Sequence, residues 1–245
     1  MNYWIFFHKA SQREAYVFDE KTIVSDKLDE KSNWCPYIWS KRFRATNCKE
    51  SHLMKANTND IIFYVIPEPR PKNIKGTYVG NYFYCDLVFI VDERQEFDKN
   101  NLPQVLDDPC LNYFHYKLGK EQHNKRIVRN TLIAKESSFQ PQINNKLVDL
   151  LTFKNQGLEE ELNSLHDKVR NGARTNLEVV NIQNDFGDKL FELLAKNDDI
   201  EKVKPYNILG DINEKISINN LRELKISDIS KIYKKKLSFD AYVKH

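Results

Sequence analysis

The chain is poor in the features that announce common chemistries. Its four cysteines, Cys35, Cys48, Cys85 and Cys110, form no C-x-x-C pair, so the usual spacing of paired-cysteine metal and redox motifs is missing. Its seven glycines make neither a Gly-rich phosphate loop nor a G-x-S-x-G elbow. No apolar run approaches the roughly 18 residues of a membrane-spanning helix. The apolar start Tyr3-Trp4-Ile5-Phe6-Phe7 is too short and lacks the basic flank of a signal peptide, so it reads as a strand. These absences give the expectation of a cytoplasmic chain with reduced thiols, no membrane partner and no cofactor. Charge of one sign is scarce too: the net is +3 over 245 residues, and the whole excess falls before residue 150. Any attraction to phosphate therefore has to come from local patches in that part. No internal repeat is visible.

Apolar and aromatic residues are well supplied, at 40% and 12%, enough for a sizeable core. Runs rich in β-branched and aromatic residues predict strands over 3–7, 61–66, 74–79, 86–91 and 127–134. Gly76, inside the third run, marks a close approach by another backbone or a ligand. Between the first two runs lies a polar stretch with a short helix expected around Ser51 to Met54. Asn101 to Asp108 reads as a loop.

Near residue 150 the apolar period changes. Leu158, Leu162, Leu165 and Val169 step by four, three and four and end at Asn171-Gly172, a helix with a good C-terminal stop. Thr175-Asn176-Leu177-Glu178 has capping-box spacing and predicts a second helix, with Leu177, Val180, Phe186, Leu190 and Leu194 on its apolar face. A last helix is expected from Ser227 through Lys234-Lys235-Lys236. The leucine stripe has two readings: packing inside the domain, or a helical hairpin that forms a homodimer.

An enzymatic site is hard to assemble from these residues. Cys48 and His52 have helical i, i+4 spacing, but zinc needs about four ligands and Cys35 is the sole nearby supplement. His115 and His123 with Asn124 faintly resemble a histidine nuclease motif without its metal-ligand pattern. Asp211 with Glu214-Lys215 loosely matches metal-dependent nucleases, a pattern common by chance in a chain that is 30% charged. No catalytic or metal-binding residue is assigned. A nuclease or modification enzyme with its site in the C-terminal half, or a helical interaction protein, stands as the alternative function.

Binding is better supported. Basic clusters at Lys41-Arg42 with Arg44, at Arg70, Lys72 and Lys75, and at Lys117, Lys120, Lys125, Arg126 and Arg129 each flank aromatics. Cations that hold phosphate beside rings that stack on bases are what nucleic-acid recognition needs. The bland alternative is that the rings fill a sheet core while the lysines solvate its rim. Trp34 and Trp39 flank the turn-like Cys35-Pro36, where a large ring has no obvious core to fill. Paired rings of this kind sandwich a base lifted out of its stack.

The same residues resemble the EVE family and, more distantly, its YTH relatives within the PUA-like superfamily. The chain opens Asn2-Tyr3-Trp4-Ile5, like the N-Y-W-hydrophobic strand of EVE domains. Trp34 and Trp39 follow, then Arg42, Arg44 and Asn47. Met54-Lys55 steps through Asn59-Asp60, where the family has Gly-Asp, into the strand ending at Tyr64. Gly76 lies in the next strand, and Ser138-Phe139-Gln140-Pro141 matches a late turn before a short helix at Leu147 to Leu151. His8-Lys9-Ala10 replaces the family's Ser-Glu-Pro, and residues 80–85 form an insert. The resemblance covers about residues 1–152 and implies an α+β fold, a PUA-like, EVE-similar small β-barrel with flanking helices. A helical C-terminal region, 153–245, follows for dimerisation or partner docking. It also implies binding to DNA or RNA carrying a modified, methylated base, as in modification-dependent restriction or defence. Trp34 and Trp39 are expected to stack on that base and Tyr64 to line the pocket. Ser138 or Gln140 is expected to meet the base edge, and Arg42, Arg44, Lys117, Arg126 and Arg129 to hold phosphates.

Overall fold

The computed structural model describes residues 1–7, 13–18, 21–25, 37–39, 44–47, 55–68, 82–98, 128–171, 179–203 and 235–237. Their strands are β1 (Tyr3–Phe7), β2 (Arg13–Phe18), β3 (Lys21–Ser25), β4 (Tyr37–Trp39), β5 (Arg44–Asn47), β6 (Ile61–Glu68), β7 (Tyr82–Asp98), β8 (Val128–Ala134), β9 (Gln140–Ile143), β10 (Lys146–Asp149), β11 (Val179–Ile182), β12 (Glu201–Val203) and β13 (Lys235–Leu237). A 3-10 helix spans Leu150–Gln156, and two α-helices follow, α1 (Glu159–Asn171) and α2 (Asn184–Lys196). The fold is α+β, built on a mixed sheet in the order β11-β1-β6-β7-β8-β5-β4-β3-β2-β13. The β1–β6 pair is parallel, and its neighbours on that path are antiparallel.

The sheet turns on β7. Its first half pairs with β6 on one side and with β10 and Phe139 on the other. Its second half pairs with β8. Two register shifts, at Asp86 and at Asp92, each insert one extra residue into β7. Such bulges bend a strand and raise its twist, which is how one strand serves two sheet segments.

β6 is buried from Ile61 through Ile66, as a continuous apolar run requires when both faces are covered. One face carries Tyr3, Ile5, Phe63 and Val65, packed in the same cluster as Leu158, Leu162, Leu165 and Val169 of the α1 stripe and Phe186, Leu190 and Leu194 of α2. The stripe is thus used within the chain and is not left over for a second copy. The opposite face carries Trp4, Ile62, Tyr64, Leu87 and Phe89, also buried. Among the described residues, side chains on both sides of position 152 share one core cluster.

Several expectations are corrected. The stretch between β1 and β6 contains β2 to β5, and Trp39 lies in β4 rather than in a loop. Leu147 to Asp149 is strand, and only Leu150 onward is helical. Asn144 and Asn145 have φ of 51° and 61°, the paired left-handed backbone that closes a tight hairpin, so β9 and β10 fold back on each other. The described second helix starts at Asn184, and Thr175 to Glu178 lie outside the described residues. Val179 and Val180 instead form β11, because the edge of β1 offers these β-branched residues a ladder. Lys235 and Lys236 lie in β13, paired with β2, not in a helix. No helix is long and apolar enough to cross a membrane among the described residues.

Candidate functional site

Two buried polar knots hold the sheet's central strands. The first is centred on Asp60, which is 2% exposed. Its carboxylate accepts from the Asn2 backbone N–H at 2.7 Å, the Asn57 N–H at 2.9 Å and the Trp4 indole Nε1–H at 3.3 Å. The Asn2 side-chain amide adds longer contacts at 3.2 and 3.3 Å. Burying a carboxyl group is tolerable when donors enclose it in this way. The turn before it requires φ of 74° at Asn59, a left-handed value that Gly and then Asn adopt most readily. The Asn59 N–H donates to the Val91 carbonyl at 2.8 Å, and its side-chain oxygen accepts from Lys135 Nζ at 2.5 Å. Thr58 Oγ1 donates to the Asp92 carbonyl at 3.0 Å, at the second bulge. Asn2, Trp4 and Asp60 therefore form one hydrogen-bonded unit that sets β1 in register with β6.

The second knot is at the first bulge. Gln140 Nε2 donates to the Asp86 carbonyl at 2.9 Å and to Asp86 Oδ1 at 3.0 Å. Gln140 Oε1 accepts from Gln142 Nε2 at 2.5 Å. All three residues are buried. Ser138 Oγ accepts from the Ile90 N–H at 2.9 Å. Tyr64, directly across the bulge, packs edge-on against Phe6 with ring centroids 5.0 Å apart and tilted against Phe89 at 5.9 Å. Burial first, and the charge of Asp86 second, push the Tyr64 phenol well above its ordinary value. The same two causes raise the Cys85 thiol, partly opposed by a hydrogen bond from the Leu87 backbone, so this cysteine is a protonated core residue rather than a nucleophile.

Of the expected base-binding residues, Tyr64, Ser138 and Gln140 are brought together around β7. Tyr64 is buried in the core, and the Ser138 and Gln140 side chains bond to β7 itself. Trp39 and Arg44 lie on adjacent paired strands, β4 and β5, and Arg129 lies on β8, next to β5. Trp34, Arg42, Lys117 and Arg126 lie outside the described residues. So do Cys35, Cys48, His52, His115, His123, Asp211 and Glu214, as well as the strand expected over 74–79. Among the described residues no cluster of His, Cys, Asp and Glu has the grouping of a metal site. Sequence reasoning did not foresee Asp60, Asp86 or Gln142 as the polar anchors. A clue was present, because an acidic residue opening an all-apolar strand has to find donors once buried.

A third arrangement docks α2 on β1. The Tyr3 hydroxyl donates to Asp188 Oδ1, and an added Cβ on Gly187 would lie 2.1 Å from Tyr3 Cγ. Glycine is required there for the helix to approach the ring. Burial and then Asp188 push the Tyr3 phenol upward. No family model, no curated protein and no solved structure matches this chain.

Proposed function

We propose that this chain is a nucleic-acid-binding protein built on a PUA-like, EVE-similar domain, with an aromatic pocket that receives a modified base of DNA or RNA. The observation that carries the reading is the Asp60 knot. Asn2 and Trp4 belong to one part of the resemblance and Asp60 to another, and they meet in one hydrogen-bonded unit. A chance similarity between short motifs gives no reason for such a meeting, whereas a shared fold does. Asn59 in the left-handed region also explains how this chain does without the family's glycine.

In this reading Trp34 and Trp39 stack on the base and Tyr64 closes the pocket from behind. Gln140 and Ser138 fix the bulged strand that carries the wall, and Arg42, Arg44, Lys117, Arg126 and Arg129 neutralise phosphates. Base stacking on an aromatic side chain contributes about 1–3 kcal/mol. Trp34→Ala and Trp39→Ala are therefore each expected to weaken binding of a modified oligonucleotide by roughly one to two decades. Binding is also expected to weaken steeply with salt. Variants that bind as the parent does, or a flat salt response in the parent, would remove the basis of the proposal.

A further inference from the structure

β7 passes from one sheet segment to the other at its second bulge, and its two edges are held by different partners there. Ile90 and Val91 are adjacent in the strand, so their backbone groups point to opposite edges. On the β6 edge, the Asn59 N–H donates to the Val91 carbonyl at 2.8 Å, and the Val91 N–H donates to the Asp60 carbonyl at 2.9 Å. On the other edge, the Lys135 N–H donates to the Ile90 carbonyl at 2.7 Å. Lys135 and Asn59 thus flank β7 from opposite sides. Even so, Lys135 Nζ donates to Asn59 Oδ1 at 2.5 Å, so the lysine side chain passes over the strand and ties its two neighbours together. Thr58 Oγ1 adds a bond at 3.0 Å to the carbonyl of Asp92, the extra residue of the bulge.

The parts joined here are packed unequally. The core cluster that includes both α-helices takes Phe83, Cys85 and Val88 from β7, with Ile90 packed against it. Among the described residues it has no member from β8, or from β7 after Ile90. From β8 the ladder runs on through β5, β4, β3 and β2 to β13. A bulge interrupts a ladder and bends its strand, and hinges consist of a few residues in loops or at the ends of elements. Thr58 and Asn59 stand just before β6, and Lys135 stands just after β8.

We infer that the second bulge is a hinge, and that Lys135, Asn59 and Thr58 form the latch that holds its angle. With the latch made, β8 and the strands laddered to it keep one orientation against the helix-packed segment. With the latch cut, they swing as a unit about Asp92 while the ladder on either side stays whole. The inference stands on packing and hydrogen bonds and goes beyond the nucleic-acid reading. It bears on that reading because Trp39, Arg44 and Arg129 belong to strands beyond the bulge, whereas Tyr64 and Gln140 belong to strands on the helix-packed side.

The test is amide hydrogen exchange of the full chain, followed residue by residue by NMR with no ligand added. The parent is compared with Thr58→Val, Lys135→Met, the double variant and Lys135→Arg. Both latch bonds are exposed, so neither change opens the core. Breaking one such bond shifts an opening equilibrium by about two- to ten-fold, and exchange of the bonded amides follows that equilibrium. The Asn59, Val91 and Lys135 amides are expected to exchange faster by about that factor in Thr58→Val and in Lys135→Met, and faster again in the double variant. Lys135→Arg keeps a cationic donor and is expected to match the parent. Amides of the β7–β8 ladder and of Ile62 to Ile66 are expected to keep the parent's rates. Unchanged exchange at Asn59, Val91 and Lys135 in the double variant would overturn the latch. Equal acceleration throughout β8 would overturn the hinge, because the segment then unfolds rather than swings. No nucleic acid enters the measurement, so its failure leaves the binding proposal standing, and the failure of that proposal leaves the hinge standing.

Discussion

Removing the Asp60 carboxylate should damage the protein more than any single change on its surface. Asp60→Ala leaves the Asn2 and Asn57 backbone N–H groups and the Trp4 indole N–H without their acceptor, at a position 2% exposed. A buried donor left unsatisfied costs about 1–3 kcal/mol. The two short bonds dominate, and the 3.3 Å indole bond adds less, so a loss of about 3 kcal/mol is expected. For a chain of this size that lowers Tm by roughly 6–12 °C. Asp60→Asn keeps one acceptor oxygen but turns an NH2 toward the donors, and about half the loss is expected. Urea unfolding followed by circular dichroism and tryptophan fluorescence measures this, with the midpoint shifting at constant m. Trp4→Phe should cost less in Asp60→Ala than in the parent, because the cycle removes the same bond. If Asp60→Ala falls within about 1 kcal/mol of the parent, the knot does not hold β1 on β6 and the argument from it fails.

Three further outcomes follow from the packing. Gly187→Ala gains helix propensity of about 1 kcal/mol, but its Cβ would meet the Tyr3 ring at 2.1 Å and that ring is tied to Asp188. A net loss is expected, since overpacking of this kind costs about 1–3 kcal/mol, and a thermal melt equal to or above the parent's would contradict it. Tyr3, Tyr64 and Cys85 all hold their protons more tightly when folded. The unfolded chain therefore releases protons first as pH rises, and stability should fall above about pH 9–10 while staying full below it. Urea midpoints across that range check the sign, with Tyr3→Phe and Tyr64→Phe flattening the decline. A chain ending at Thr152 lacks Leu158, Leu162, Phe186 and Leu190 of the shared core. It should give no cooperative unfolding transition, and a well-dispersed proton NMR spectrum from that fragment would refute a single core.

The parts legible in the sequence are those whose pattern is strong and local. Ile61 to Ile66 could only be a strand buried on both faces, and Leu158, Leu162, Leu165 and Val169 could only be a helical stripe. The misread parts were decided by distant partners. Val180 fits a helical face by spacing, yet it pairs with Ile5 because β1 has an edge to fill. The Asn144-Asn145 pair was a readable hairpin signal, overshadowed by the helix that the resemblance led one to expect after Pro141. Trp4 looked like one more apolar strand residue. Its role as a donor to Asp60 depends on a parallel register between strands 58 residues apart. The same limit applied to Gln140, whose amide faces a bulge that no local pattern announces.

The central claim, that this chain reads a modified base, is tested most directly by a titration against matched oligonucleotides. DNA and RNA strands of one sequence would be compared with and without a methyl group on a single cytosine or adenine. The account predicts tighter binding to one methylated strand than to its unmodified match, with that preference lost in Trp34→Ala and Trp39→Ala. Equal affinity across every matched pair, or a preference unchanged in both variants, would contradict it.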